Sequence, residues 1–149
     1  MMSVSDFSLD VAKKEGLEIQ IETGELEDTH PNTAEITLTA ADGEKVSLRG
    51  SSIGGGNILI TRVNGMEVAL TGQNPALIVL HKDAPGTIAA VTELMAEYGV
   101  NICNFHLARE TKGGVAVMTI ESDSHFVPEL NEKINRLENI YSSTMLERV

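Results

Sequence analysis

The sequence predicts an α+β protein in two parts: a small, mostly antiparallel β domain with one helix over residues 1–73, then a βαββαβ domain over residues 74–149. Three observations carry this. Short stretches of period-two alternation fill the first half, joined at Asp42-Gly43 and Asn64-Gly65, and such dipeptides between alternating runs are hairpin signals. The second half opens on a continuous apolar run, "ALIVL", followed by an apolar stripe at helical spacing. The 149 residues are 42% hydrophobic, enough for real cores.

The elements follow in order. "DFSLDVAKKEG" places Phe7, Val11 and Ala12 at helical spacing with Gly16 as a stop, predicting a helix over Asp6 to Glu15. "LEIQIET" alternates and reads as a strand, and "AEITLTAADGEKVSLRG" and "NILITRVNGMEVALTG" read as two hairpins. After Gln73 comes the strand "PALIVLH". A helix follows, with Ile88, Val91, Leu94, Met95 and Tyr98 on one stripe and Gly99 ending it. "NICNFHLARE" puts Cys103, Phe105 and Leu107 on one strand face, and "GGVAVMTIES" returns across Lys112-Gly113-Gly114. Val127, Leu130, Ile134 and Leu137 mark a further helix, and "IYSSTMLERV" a last strand. This order is the split βαβ plan of a ferredoxin-like domain, two helices covering one sheet face, the other face solvated or meeting a partner.

Composition narrows the function. With 22 acidic and 11 basic residues the formal charge is -11, and no basic patch interrupts it, so nucleic acid is not an expected partner. Aromatic residues at 3% are also too few for the stacking platform of an RNA-binding sheet. The longest apolar runs fall far short of a membrane span and the first residues do not read as a signal peptide, so a cytoplasmic location is expected. His30, His81, His106 and His125 are dispersed without paired spacing, and no metal site is expected. The single cysteine, Cys103, excludes an internal disulfide and reads as a small core hydrophobe. The chain has no nucleophile elbow, P-loop, Cys-x-x-Cys or dinucleotide fingerprint, so no catalytic residue is assigned.

Two stretches suggest binding. In "HKDAPGTIAA", Pro85 stiffens a strand-to-helix turn and Gly86 leaves the helix N-terminus uncovered, so its N–H groups suit a carboxylate while Asp83 suits an ammonium. In "GSSIGGGNILI", Gly54, Gly55 and Gly56 can adopt positive φ and, with Ser51 and Ser52, form a candidate anion nest. The competing reading is a bulge or tight strand crossing.

"HKDAPGTIAAVTELMAEYGVNICNFHLARE" resembles the ACT regulatory domain, an amino-acid-binding module, over Ala76 to Val149. The resemblance implies a ligand site at His81, Asp83, Ala84, Pro85 and Gly86, completed by Asn101 and Ile102 from the same or an adjacent chain, and a homodimer through ACT domains with L-serine the best guess for the effector. "HPNT" at His30 to Thr33, "GSSIGGGNILITRVNG" and the ACT-like part together resemble the β subunit of iron-sulfur-dependent L-serine dehydratases. That resemblance implies a regulatory, non-catalytic chain without its own cofactor, partnered by an α subunit whose cysteines hold a [4Fe-4S] cluster acting on serine. Family β chains begin with a further segment carrying Ser-Ser-Ser-His-Thr, which this sequence lacks, so an N-terminally shortened chain is expected. The alternatives are a regulatory fragment of a phosphoglycerate dehydrogenase, which shares the pairing of parts, and a stand-alone ACT-type dimerisation module.

Overall fold

The computed structural model describes residues 4–27 and 30–148. Helix α1 (Val4–Lys14) comes first. It ends at Gly16, where φ of +86° lets the Leu17 amide reach back to Ala12 O at 2.9 Å. The expected strand at Leu17 to Thr23 does not form. The segment has no regular secondary structure, Leu17, Ile19 and Ile21 are exposed, and among the described residues no strand pairs with it. Alternation permits a strand, but only a neighbouring edge makes one.

Four strands then form an antiparallel meander: β1 (Thr33–Thr39), β2 (Lys45–Gly54), β3 (Asn57–Val63) and β4 (Met66–Leu70). The β1–β2 turn is closed by the Gly43 amide on Ala40 O and the Glu44 amide on Asp42 Oδ1. Asn64 and Gly65, with φ of 50° and 78°, turn β3 into β4. The glycine run is the β2–β3 hairpin: Gly54 pairs with Asn57 across Gly55 and Gly56, with a register shift beside Gly54. All three glycines have positive φ, so the turn and its bulge account for them.

The second sheet is built from β5 (Ala76–Lys82), β6 (Ile102–Arg109), β7 (Val115–Ser122) and β8 (Ile140–Leu146) in the order β6-β7-β5-β8, with helices α2 (Thr87–Glu97) and α3 (Pro128–Asn135). This is the expected split βαβ arrangement, with every pairing antiparallel. On the helix side, Leu77, Val79, Val91, Met95, Met118, Ile120, Phe126, Leu130 and Ile134 form the main core. Met66 and Met145 are partly buried beside the cores, whereas Ile88 of the expected α2 stripe is exposed.

The opposite face of this sheet is neither simply solvated nor left for another molecule. Val68 and Leu70 of β4 pack on Ala76, Ile78 and Val117, with Ile60, Val63, Met66 and Leu80 around them. The first sheet thus covers part of the second with the apolar face of β3 and β4. On β1 and β2 the same face is open, and Ile36, Leu38 and Val46 are exposed. No helix among the described residues is long and apolar enough to cross a membrane.

Candidate functional site

The turn after β5 is held from two sides. The Lys82 amide donates to Asn139 O and the Asp83 amide to Gly114 O, both at 2.8 Å. Gly86 caps α2 at φ 87°, a conformation other residues adopt at a cost, and no side chain caps the helix. Its α-carbon faces open space. In the first turn the Thr87 amide donates to Ala84 O at 3.3 Å, and the other first-turn N–H groups have no side-chain cap, which leaves donors of the kind a carboxylate accepts from.

Two buried polar side chains flank this turn. His81 is 1% exposed, and its Nδ1 lies 2.8 Å from Lys82 O. A carbonyl only accepts, so Nδ1 carries the hydrogen, and in neutral His81 the other nitrogen, Nε2, is an acceptor. Nε2 is buried and has no hydrogen-bond partner; the same is true of Oγ1 of Thr87, 3% exposed at the start of α2. Thr87 was not among the residues singled out from the sequence, since a threonine at a helix start carries no motif.

Asp83 is not the free carboxylate the sequence suggests. Its Oδ2 accepts from Arg109 Nη1 at 2.9 Å and from the Gly113 amide at 3.0 Å. The Gly113 hydrogen bond first, and then Arg109, hold its pKa below the ordinary 3.8. Both bonds fall on one oxygen, and among the described residues no hydrogen bond reaches Oδ1. Arg109, at the end of β6, was missed by sequence reasoning because 26 residues separate it from Asp83.

Asn101 and Ile102 lie elsewhere. Strands β5 and β6 are each antiparallel to β7 and so run parallel to one another. Lys82 and Arg109 thus share one end of the sheet while Asn101, preceding β6, stands at the other, about 26 Å from Arg109 at ~3.3 Å per residue. There Asn101 Nδ2 donates to Asp123 Oδ2 at 2.6 Å, and Ile102 packs against the helix-side core. Within one chain Asn101 does not complete the turn.

Cys103 is also misplaced by simple alternation. A register shift between Ile102 and Asn104 lifts it out of the ladder, and it is exposed. Phe105 and Leu107 face the helix side but are more than a third exposed, because β6 is an edge strand. A [4Fe-4S] cluster takes about four thiolates; the single Cys103 does not fit that demand, and no group of His, Cys, Asp and Glu among the described residues suits a metal ion.

In the first sheet the two motifs "HPNT" and "SSIGGG" meet. Thr33 Oγ1 donates to His30 O at 2.5 Å and lies 2.7 Å from Ser51 Oγ, and the Ser52 amide donates to Asn32 O at 2.8 Å. Ser51 is buried and committed to this bond, whereas the glycine turn is at the exposed tip of the hairpin.

Residues 77–142 match the AHAS small subunit-like ACT domain family. The second half of the chain has the ACT domain fold. The likeness to serine dehydratases extends beyond it. Over 93% of the chain, identity is 37% to a probable L-serine dehydratase beta chain of Bacillus subtilis, and over 94% it is 27% to an L-serine dehydratase beta chain of Peptoniphilus asaccharolyticus. The chain spans 63% and 64% of these relatives' lengths. A D-3-phosphoglycerate dehydrogenase of Methanocaldococcus jannaschii is 33% identical over 87% of the chain, which spans 24% of that protein. The first sheet and the ACT domain thus travel together in proteins of two different names.

Proposed function

We propose that this chain is the regulatory β component of an L-serine dehydratase, and that its ACT domain binds a small amino acid, L-serine being the best candidate. The observation that carries the reading is the 37% identity to a named beta chain over both sheets rather than over the ACT domain alone. The catalytic chemistry, serine to pyruvate and ammonia, then belongs to an α chain bearing the [4Fe-4S] cluster. This chain, with one cysteine, contributes regulation and scaffold.

The proposed ligand site is the Asp83-Ala84-Pro85-Gly86 turn. The uncapped start of α2 receives the ligand's carboxylate, and Asp83 Oδ1 with His81 Nε2 receives its ammonium or hydroxyl hydrogens. Two ACT domains complete the site. Strand β6 is an open edge, and unpaired edges invite pairing with a second copy. A two-fold antiparallel pairing of β6 with itself sets the start of one strand beside the end of the other. The second copy's Asn101 then arrives next to Arg109 and the turn. This reading resolves what one chain leaves apart.

Calorimetry with L-serine and D-serine on the wild type, Asp83→Ala and Asn101→Ala, with sedimentation on each, tests it. The expected result is a dimer that takes up L-serine in preference to D-serine, weakened by either substitution. A monomer that binds serine normally refutes the two-chain site, and a dimer without affinity for any amino acid reduces the domain to assembly. A regulatory segment of a phosphoglycerate dehydrogenase is the second reading, favoured by the 33% identity to that enzyme. Capture of a cysteine-bearing dehydratase chain by the tagged protein supports the first; capture of a dinucleotide-binding dehydrogenase supports the second.

A further inference from the structure

The contact between the two sheets is aliphatic except along one polar strip. Glu121 of β7 lies on the face toward the first sheet, beside Val117 and Thr119, and is 1% exposed. Its Oε1 accepts from the Thr71 amide at 3.1 Å and the Thr71 hydroxyl at 2.7 Å, and its Oε2 accepts from Asn104 Nδ2 at 2.8 Å. Among the described residues no ion pair reaches this carboxylate. Three neutral donors stand in for water, and a buried carboxylate is costly unless every such bond is kept.

The two oxygens serve different parts of the molecule. Thr71 follows β4 directly and belongs to the junction leaving the first sheet, whereas Asn104 is on β6, the open edge of the ACT domain. Asn104 also follows the register shift after Ile102, where the β6–β7 ladder constrains the edge least. On the neighbouring rung, His106 Nδ1 and Thr119 Oγ1 are buried without partners, so they add no second polar tie there.

We propose that Glu121 is a relay through which the state of the β6 edge is felt at the junction with the first sheet. Aliphatic contacts have no direction and allow one sheet to slide on the other. A carboxylate bonded at both oxygens admits one arrangement. If the start of β6 shifts, Asn104 withdraws its donor; the carboxylate must then turn or remain half-satisfied, and the Thr71 bonds weaken with it. Asn101 lies three residues from Asn104, so the proposal rests on the two-chain reading for its natural trigger. The bond network itself does not.

Amide hydrogen exchange at Thr71 in the full chain tests the relay, because that N–H is one of the donors. Glu121→Leu is expected to speed Thr71 exchange about tenfold and Glu121→Gln at most about threefold, since the amide keeps a bond at each end once Asn104 reverses its own. Asn104→Ala is expected to speed Thr71 exchange about fivefold in the wild-type background and to add nothing in Glu121→Leu. Unchanged Thr71 exchange in a folded Asn104→Ala variant overturns the relay, with or without a ligand. Should Glu121→Leu fail to fold, that single comparison still decides. With L-serine added, a change at Thr71 in the wild type that disappears in Glu121→Leu supports the relay. Serine that binds both proteins and changes Thr71 equally in both overturns it. Absence of serine binding counts against the amino-acid reading, and the Asn104→Ala comparison then decides the relay alone.

Discussion

Asp83 and Arg109 close the ACT domain at one end: the guanidinium donates to Asp83 Oδ2 at 2.9 Å, and the Gly113 amide reaches the same oxygen at 3.0 Å. One carboxylate thereby ties the end of β5 to both sides of the β6–β7 turn. Whatever binds at the Asp83-Gly86 turn meets a carboxylate already oriented by the protein.

This arrangement sets a pH dependence. Asp83 has a pKa lowered in the folded chain, so the unfolded chain binds its proton first as pH falls. Its contribution is fully present above the ordinary value of 3.8 and is lost as the pH falls through the lowered folded value. Thermal melts of wild type and Asp83→Asn across the acid range should show a gap at about pH 7 that closes toward about pH 2. A gap independent of pH would mean that the carboxylate charge contributes nothing.

Gly55 sits at φ +65° in the β2–β3 turn, where a β-branched side chain is strained regardless of the space around it. Gly55→Val should cost about 1 kcal/mol or more, and Gly55→Asn roughly half of that or less, because asparagine tolerates this region better. Equal melting midpoints for all three proteins would show that the turn adapts freely.

Cys103 is exposed, yet desolvation, then the carboxylates of Asp123 and Glu121, push its thiol above the ordinary 9.0. Reaction with a thiol reagent should go to completion on the native chain but slowly near about pH 7, where little thiolate exists. Asp123→Asn should speed it. A rate above that of free cysteine would contradict the placement, and protection that appears with dimerisation would locate the contact at β6.

Purified alone, the chain should take up no stoichiometric iron-sulfur cluster and make no pyruvate from serine, since one cysteine cannot supply a thiolate set. Anaerobic reconstitution followed by iron analysis and a pyruvate assay checks this. A full cluster with turnover would place the chemistry in this chain.

The elements themselves were legible in the sequence because their causes are local. Hydrophobic spacing defined α2, with Val91 and Met95 fully buried, and Asn64-Gly65 imposed its turn whatever surrounded it. The Pro85-Gly86 turn and its uncapped helix start are equally local, so that part of the candidate site could be read directly. Pairings between distant segments could not. Alternation at Leu17 to Ile21 signals a strand but does not supply an edge, and alternation at Cys103 cannot foresee a bulge that lifts one residue out of the ladder. Strand order put Asn101 at the far end from Asp83, brought Arg109 to it, and set Glu121 against Thr71 under the cover of β4. Each of these depends on which strands lie side by side and in what register, a choice made by the packing of whole faces rather than by any residue's near neighbours.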